Sequence, residues 1–206
     1  MKRLYAFDFD GTLTTADTLL AFIRYACGTW HFIVGFLLHS PLLVLMKLKL
    51  YPNYRAKQRI FAWYFRDMEM KTFDALCRQF AERNACLIRP KAKALLERLF
   101  SEGESVCVVS ASIDNWVRPF FTNMTTNSRS NFCVLGTQVE ADNNGLITGR
   151  FLTNNCYGAE KVERLCKQYP DLTVHRNDYV IEAFGDSRGD RELLTFADNA
   201  HFKPFR

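Results

Sequence analysis

Four aspartates, a serine and a lysine have side chains suited to one reaction centre, and each falls at or just past a predicted strand end or helix start. These residues are Asp8, Asp10, Ser110, Lys161, Asp186 and Asp190. Carboxylates brought together in a partly desolvated site repel one another, so they require a counter-charge when they are ionised. An all-oxygen ligand set favours a hard cation such as Mg²⁺, and Lys161 would add a second positive charge. Such a site suits a phosphate group.

The segments that carry these residues predict an α/β fold. Leu4 to Phe9 is a short apolar run that stops at Asp10-Gly11, which indicates a buried strand leading into a loop. Farther along the chain, strands are predicted at 105–110, 132–139, 179–184 and 200–203, and helices at 91–100, 114–124, 159–169 and 190–196. A strand at 146–152 would pair with 132–139 as a hairpin. The alternation predicts a doubly wound, mostly parallel sheet with helices on both faces and a ligand beyond the carboxyl ends of its strands.

Between the first strand and Pro90 the pattern is helical throughout. Helical periodicity covers 18–26, 30–50, 54–65 and 72–87. We therefore predict a catalytic core of residues 1–15 and 89–206, with an α-helical cap of residues 16–88 inserted after the first motif. Pro41 is expected to divide residues 30–50 into two short helices.

Residues 30–50 are largely apolar, but five residues between positions 39 and 49 interrupt the run. The interruptions are His39, Ser40, Pro41, Lys47 and Lys49. A membrane-spanning helix usually needs about 20 predominantly apolar residues, so this segment is a marginal candidate for a span. We favour a helical hairpin that belongs to the cap, and the alternative is peripheral contact with a lipid surface.

Length, charge and cysteine usage narrow the classes of protein to consider. The chain has 206 residues, enough for one core with one elaboration. Its net charge of +5 is spread along the chain without dense basic patches, which disfavours nucleic acid as a partner. The seven cysteines lie at irregular spacings, and no secretory signal precedes Asp8. We expect a cytoplasmic protein, either free or peripheral at the inner face of the membrane. Its oligomeric state is left open.

The motif Asp8-Phe9-Asp10-Gly11-Thr12-Leu13-Thr14 resembles the first signature of the haloacid-dehalogenase-like hydrolase superfamily. Three further matches follow in the right order. They are Ser110 after a strand, Lys161 at a helix start, and Gly185-Asp186-Ser187-Arg188-Gly189-Asp190. The four motifs together span nearly the whole chain.

The resemblance implies a role for each site residue. Asp8 would attack phosphorus to give an aspartyl phosphate, and Asp10 would act as general acid and then as general base. Asp8, Asp10 through its carbonyl, and Asp186 would hold Mg²⁺. Asp190 would orient the metal's water or Lys161. Ser110 and Lys161 would bind the transferring phosphoryl oxygens, with Gly11 and Thr12 also placed at the phosphate.

The inserted helical segment resembles the small cap of one branch of the superfamily. That branch contains phosphoserine phosphatases and a bacterial phosphatidylglycerophosphate phosphatase, so the expected substrate is a small polar phosphate metabolite or a lipid phosphate. Phosphoserine phosphatases carry Asn where this chain has Gly189, which puts amino-acid phosphate specificity in doubt. Arg55 and Arg59, a turn apart, could clamp a substrate carboxylate or phosphate; the alternative is a solvated helix face.

Two other functions fit the motifs. A phosphotransferase or phosphomutase would use the same aspartyl phosphate with another hydroxyl as the acceptor. A non-catalytic binding protein would keep the fold alone, although here every expected catalytic position is occupied. We predict a Mg²⁺-dependent phosphomonoester hydrolase.

Overall fold

The computed structural model describes residues 1–126 and 128–206. These residues contain seven strands, in chain order: β1 (Lys2–Phe7), β2 (Ser105–Ile113), β3 (Phe132–Thr137), β4 (Val139–Ala141), β5 (Ile147–Phe151), β6 (Tyr179–Gly185) and β7 (Asn199–Phe202). Five of them form one sheet in the order β3-β2-β1-β6-β7, and every neighbouring pair in it is parallel. The predicted doubly wound α/β fold is confirmed.

Within the described ranges, nine α-helices connect and cover these strands. They are α1 (Thr18–Lys47), α2 (Asn53–Phe65), α3 (Met70–Arg83), α4 (Pro90–Glu102), α5 (Asp114–Val117), α6 (Thr122–Thr125), α7 (Ala159–Gln168), α8 (Asp171–Val174) and α9 (Arg191–Phe196). Short 3₁₀ turns lie at Ala85–Leu87, Arg118–Phe121, Arg176–Asp178 and Arg188–Asp190. The helices α1, α2 and α3 fill the interval predicted to form the cap.

Two predicted elements differ from the structure. The single helix expected at 114–124 is three short pieces, because Pro119 has no amide hydrogen to continue the α-helical ladder. The strand expected at 132–139 ends at Thr137, and Val139 instead begins β4, which pairs antiparallel with β5. The predicted hairpin therefore exists, but it stands apart from the parallel sheet.

The prediction that Pro41 splits residues 30–50 is wrong, because the break in α1 lies at Gly28. Gly28 has φ 79° and ψ 162°, whereas Pro41 lies inside a helix that continues to Lys47. Proline leaves the carbonyl four residues earlier without an amide partner. Here the Ser40 hydroxyl donates to that carbonyl, on Leu37, at 2.8 Å, so the helix passes through Pro41. We call residues 29–50 the apolar arm.

A buried core covers each face of the sheet. One contains mainly aliphatic side chains between the sheet and α7 to α9. The other is rich in phenylalanine and includes side chains from both the sheet and the inserted helices. Phe22 of α1 packs on Trp116 of α5 with ring centroids 4.9 Å apart, and on Phe73 of α3 at 5.5 Å. This shared core fixes the inserted helices above the carboxyl ends of the strands.

Candidate active site

Two neighbouring strands, β1 and β6, bring the acidic residues to one edge of the sheet. Asp8 follows β1, and its backbone amide donates to the carbonyl of Phe184 in β6 at 2.8 Å. The chain then turns tightly through Phe9–Leu13, where Gly11 has φ 78°. A β-carbon on Gly11 would lie 2.6 Å from Asp186 Oδ2. Glycine is therefore required here both by the backbone conformation and by the close approach of Asp186.

Lys161 is the buried cation of the site. Its Nζ donates to Asp8 Oδ1 and to Asp190 Oδ1, both at 2.6 Å. The Lys161 side chain is 2% exposed, and Asp8 and Asp190 are similarly buried. Lys161 stands near the start of α7, which places its amine between two acidic loops. Such a buried cation, ion-paired on both sides, can bind a transferring phosphoryl group.

Asp190 holds the loop that follows β6. Its Oδ2 accepts from the backbone amides of Asp186 and Ser187 and from the Ser187 hydroxyl, at 3.1, 2.9 and 2.8 Å. Its other oxygen accepts from Lys161. Because both oxygens are engaged by protein donors, this geometry favours the expected role of orienting Lys161.

Asp10 is held by hydroxyl groups. Its Oδ1 accepts from the Thr18 amide at 2.8 Å and from the Thr18 hydroxyl at 2.6 Å, and its Oδ2 accepts from the Ser112 hydroxyl. Trp116 Nε1 donates to the same Thr18 hydroxyl at 3.2 Å. These contacts fix the carboxylate beside Asp8. Burial raises the pKa of Asp10 although the hydroxyl donors oppose it, which suits a group that must carry a proton for part of a reaction.

Burial and neighbouring charges compete in setting the pKa values of the central ion pairs. Burial raises the pKa of Asp8 to about 7, with Lys161 opposing this and Asp190 adding to it. Burial would lower the pKa of Lys161, but the charges of Asp8 and Asp190 outweigh it and raise that pKa. Burial likewise opposes ionisation of Asp190, but Lys161 outweighs it and lowers that pKa. One lysine is thus shared among several buried carboxylates.

The acidic cluster fits a hard divalent cation. Asp8, Asp186 and Asp190 each offer a carboxylate oxygen, and these three oxygens lie within 4.8 Å of one another. Oxygen donors of this kind are the ligands that Mg²⁺ prefers. Asp186 is the carboxylate that Lys161 does not contact, and it receives a hydrogen bond from the Arg206 guanidinium instead. The donor set therefore suits the expected Mg²⁺, held by Asp8 and Asp186.

The structure brings most of the predicted site residues together. The Thr12 hydroxyl donates to Asp8 Oδ2 at 3.0 Å, and Ser110 is buried with its hydroxyl accepting from the Ser112 amide at 3.0 Å. Arg55 and Arg59 are not brought into the site, because both are exposed on α2. The same helix turns Lys57 inward, where its amine donates to the Ala111 carbonyl.

The sequence predicted no role in the site for three polar residues that lie beside Asp8 and Asp10. Thr18 and Ser112 hold Asp10, and Lys57 faces the site from the cap. Ser112 lies two positions after Ser110 in β2, and side chains two positions apart in a strand share a face, so this spacing could have revealed it. For Thr18 the only signal is its place after the helix-capping Asp17.

A cavity of about 410 Å³ opens from the catalytic residues towards the inserted helices. Asp8, Asp10, Ser110 and Lys161 form its floor. Its walls are mainly apolar, and α1 supplies most of them: Leu19, Leu20, Ile23, Phe32, Phe36, Leu43 and Met46. Lys57 and Asp17 are the charged side chains that line the part nearest the cap. The site therefore joins a polar reaction centre to an apolar passage.

The parallel sheet carries an aspartate after β1, a lysine near the start of α7 and an acidic loop after β6, an arrangement that fits a hydrolase. The chain belongs to the haloacid dehalogenase-like hydrolase family, whose model matches residues 5–195. The resemblance seen in the four motifs is confirmed.

Three similar proteins extend the comparison. Protein CicA of Caulobacter vibrioides is 32% identical over 98% of this chain and 86% of its own length. A protein of unknown function from Bordetella pertussis Tohama I has the same fold, with a TM-score of 0.77 at 17% identity over 96% of this chain and 87% of that one. A phosphoserine phosphatase, solved as a phospho-aspartyl intermediate analogue, gives a TM-score of 0.62 at 17% identity over 95% and 83% of the two chains. The fold is thus also that of phosphoserine phosphatases.

Proposed function

We propose that this protein is a Mg²⁺-dependent phosphomonoester hydrolase that works through an aspartyl phosphate on Asp8. The observation that carries the proposal is the Lys161 amine, buried and bonded to both Asp8 and Asp190. This arrangement positions the Asp8 carboxylate and keeps a fixed positive charge where phosphoryl oxygens would lie. The family contains hydrolases, and a structural neighbour solved as a phospho-aspartyl analogue supports the same intermediate here.

The residues of the site divide the reaction into two steps. Asp8 attacks phosphorus while Asp10 gives its proton to the departing ester oxygen, which releases the alcohol. Asp10, now ionised, takes a proton from water as the water attacks phosphorus, and inorganic phosphate leaves with Asp8 restored. Thr18 and Ser112 keep Asp10 in place for both steps. Ser110, Thr12 and Lys161 bind the phosphoryl oxygens.

Asp8 and Asp186 would hold Mg²⁺, with the Asp10 carbonyl as a third oxygen ligand. When bound, the ion would neutralise charge on the phosphoryl oxygens and offset repulsion between the carboxylates. Its charge would also favour the ionised form of Asp8, whose pKa burial raises to about 7.

Within this reaction we propose a lipid phosphate as the substrate. The cavity wall contributed by α1 is apolar from the catalytic floor outward, which suits an acyl chain better than a small polar metabolite. The Asp17 carboxylate is not free to bind a substrate amino group, because it caps α1 by accepting from the Leu19 and Leu20 amides at 3.0 and 3.3 Å. Lys57 would bind a second anionic or polar group of the headgroup. A small polar phosphate is the alternative that the assay must separate.

The test is phosphate release from a substrate panel with Mg²⁺ or with EDTA. The panel contains phosphoserine, phosphocholine, a sugar phosphate, lysophosphatidate, phosphatidylglycerophosphate and a soluble aryl phosphate. We expect turnover only with Mg²⁺, the highest kcat/KM on a lipid phosphate, and a loss of at least about 10³-fold in Asp8→Asn. Mass spectrometry of that variant checks that the asparagine has not deamidated.

Three outcomes would contradict the proposal. Turnover that persists in EDTA would contradict the requirement for Mg²⁺. Full activity in Asp8→Asn would contradict the role of Asp8 as the nucleophile. A strong preference for phosphoserine would keep the mechanism and overturn the lipid substrate. Adding alcohols to the assay separates hydrolysis from phosphoryl transfer, since a transferase would give a new ester in place of free phosphate.

A further inference from the structure

The outer face of the apolar arm is an exposed row of apolar side chains. Trp30 is 83% exposed, and the side chains that follow it at intervals of three or four residues are also exposed. The row comprises Trp30, Val34, Leu37, Leu38, Pro41, Val44, Leu45 and Leu48. Residues at this spacing share one face of a helix. A helix at the surface of a globular protein normally turns polar residues outward, so this face is unusual.

The inner face of the arm is accounted for by packing. The Tyr64 hydroxyl of α2 donates to the Phe32 carbonyl at 3.0 Å, and a β-carbon on Gly35 would lie 2.1 Å from Tyr64 Oη. Phe32, Phe36 and Met46 line the active-site cavity. The arm is therefore held on the protein by one side, and its outer face has no covering element among the described residues.

Topology excludes a single membrane span by the arm. Over its most apolar 18 residues α1 has a mean hydropathy of 1.6, with 6% of them buried, so it is long and apolar enough to cross a bilayer. One crossing between Gly28 and Tyr51 would place Asp8 and Lys161 on opposite sides of the membrane. They are instead bonded to each other, and β1 lies between β2 and β6 in one sheet. Any contact of the arm with lipid therefore has the arm lying flat on the surface.

The charge around the arm identifies the kind of surface that it would contact. Residues 18–66 contain no aspartate or glutamate but seven basic residues: Arg24, Lys47, Lys49, Arg55, Lys57, Arg59 and Arg66. Lys47 and Lys49 are exposed at the carboxyl end of the arm. A symmetric pair of copies joined through this face would set the same patch against itself and give its cations no acidic residue of 18–66 to pair with, which disfavours a second copy as the partner. An anionic lipid surface satisfies both the apolar row and the cations.

We propose that the apolar arm docks this protein flat on an anionic membrane surface. On the membrane, Leu37 and Leu38 lie in the middle of the outer face that lipid covers. Trp30 inserts at one end of that face, and Lys47 and Lys49 contact headgroups at the other end. Because the inner face of the same helix lines the active-site cavity, docking brings the cavity walls next to the lipid. The proposal rests on the exposed face and not on the proposed reaction, and it implies a peripheral location at a membrane.

The experiment is flotation of the protein with vesicles, using Asp8→Asn so that no lipid can be hydrolysed. Vesicles of phosphatidylcholine alone are compared with vesicles of equal parts phosphatidylcholine and phosphatidylglycerol. We expect binding to the anionic vesicles with a blue shift of tryptophan fluorescence that Trp30→Phe abolishes. Adding Leu37→Glu and Leu38→Glu should weaken binding at least about tenfold, since each buried leucine contributes that much or more.

Two further variants show which forces act. Val174→Glu changes a side chain that is 74% exposed on α8, far from the arm in the chain, and should leave vesicle binding unchanged. Lys47→Gln with Lys49→Gln should weaken binding to the anionic vesicles by roughly 25-fold, because each basic residue near such a surface contributes about a factor of five. Circular dichroism checks that the Leu37→Glu, Leu38→Glu protein still folds. Aryl phosphate hydrolysis by the same pair of substitutions, made in the protein that keeps Asp8, is a second check.

Absence of binding to anionic vesicles would overturn the proposal, as would equal binding by the Leu37→Glu, Leu38→Glu protein. A concentration-dependent dimer that the same two substitutions disperse would show that a second copy covers the face instead. Vesicle binding by a protein that hydrolyses no phosphate would leave this proposal standing and contradict the proposed function. The two failures are therefore distinguishable.

Discussion

At the residue scale, the site depends on one buried cation shared among several carboxylates. Lys161 bonds to Asp8 and Asp190 at 2.6 Å, and all three side chains are buried. A buried ion pair adds little net stability when it forms, but removing one partner leaves an uncompensated charge in a medium that solvates it poorly. Lys161 therefore carries two roles, one in binding phosphate and one in keeping the folded site intact.

Replacing Lys161 by methionine tests the second role, that of keeping the folded site intact. We expect the free energy of unfolding in EDTA to fall by about 3–5 kcal/mol, because Asp8 and Asp190 lose their buried partner. Chemical denaturation measures this loss, and added Mg²⁺ should recover part of it. Lys93→Met is the matched control. Lys93 is exposed and its Nζ lies 3.8 Å from Glu97 Oε1, so losing this ion pair should lower the free energy of unfolding by less than about 1 kcal/mol. Equal destabilisation by both variants would contradict the account.

Lys57 gives the site a second cation whose charge depends on pH. Burial lowers its pKa to about 8, although Asp10, Asp17 and Cys156 oppose the shift. Lys57 is therefore charged below pH 8 and neutral above it. The ratio of kcat/KM in the natural protein to that in Lys57→Arg should fall by roughly tenfold above pH 8, because arginine keeps its charge. Taking the ratio cancels the titrations that both proteins share. A ratio that stays constant from pH 7 to pH 10 would show that the charge of Lys57 does not contribute to substrate binding.

At the element scale, α1 is bent by one glycine and continues through a proline. This result reverses the sequence prediction, which assigned the break to Pro41. Proline does remove an amide donor, but the Ser40 hydroxyl satisfies the Leu37 carbonyl and the neighbouring residues keep the helix. Gly28 adopts φ 79° and ψ 162°, a conformation open to glycine almost alone. A local hydrogen bond and a backbone angle of this kind are fixed by three-dimensional packing and leave no periodic signal.

Substitutions at Gly28 should therefore be costly although the site is open to solvent. No atom lies within 4 Å of a β-carbon built there, so the cost is conformational. Gly28→Asn should lower the free energy of unfolding by about 1–3 kcal/mol, measured by denaturation. Gly103→Asn is the control, because Gly103 caps α4 with φ 75° and ψ 21°, a left-handed conformation that asparagine tolerates. A smaller effect at Gly28 than at Gly103 would show that α1 can straighten freely.

At the scale of the whole molecule, the order of the strands assembles the reaction centre. The carboxyl ends of β2, β1 and β6 are neighbours, so Ser110, Asp8 and Asp186 meet although they are far apart in the chain. The alternation of strands and helices predicted this convergence correctly, because parallel strands must end at one edge. The direction in which α2 faces was not predicted, so Arg55 and Arg59 were considered in place of Lys57. Ala56, Ile60 and Tyr64 form an apolar face of α2. The sequence alone does not show which element this face packs against, so it could not show which cations of α2 face the site.

The central claim is that Asp8 becomes phosphorylated during turnover. The most direct measurement is acid quenching of the enzyme with its best substrate, followed by borohydride reduction and peptide mapping by mass spectrometry. Borohydride converts an aspartyl phosphate to homoserine, so we predict homoserine at position 8 and at no other aspartate. Turnover without any modified residue, or modification at another carboxylate, would contradict the account.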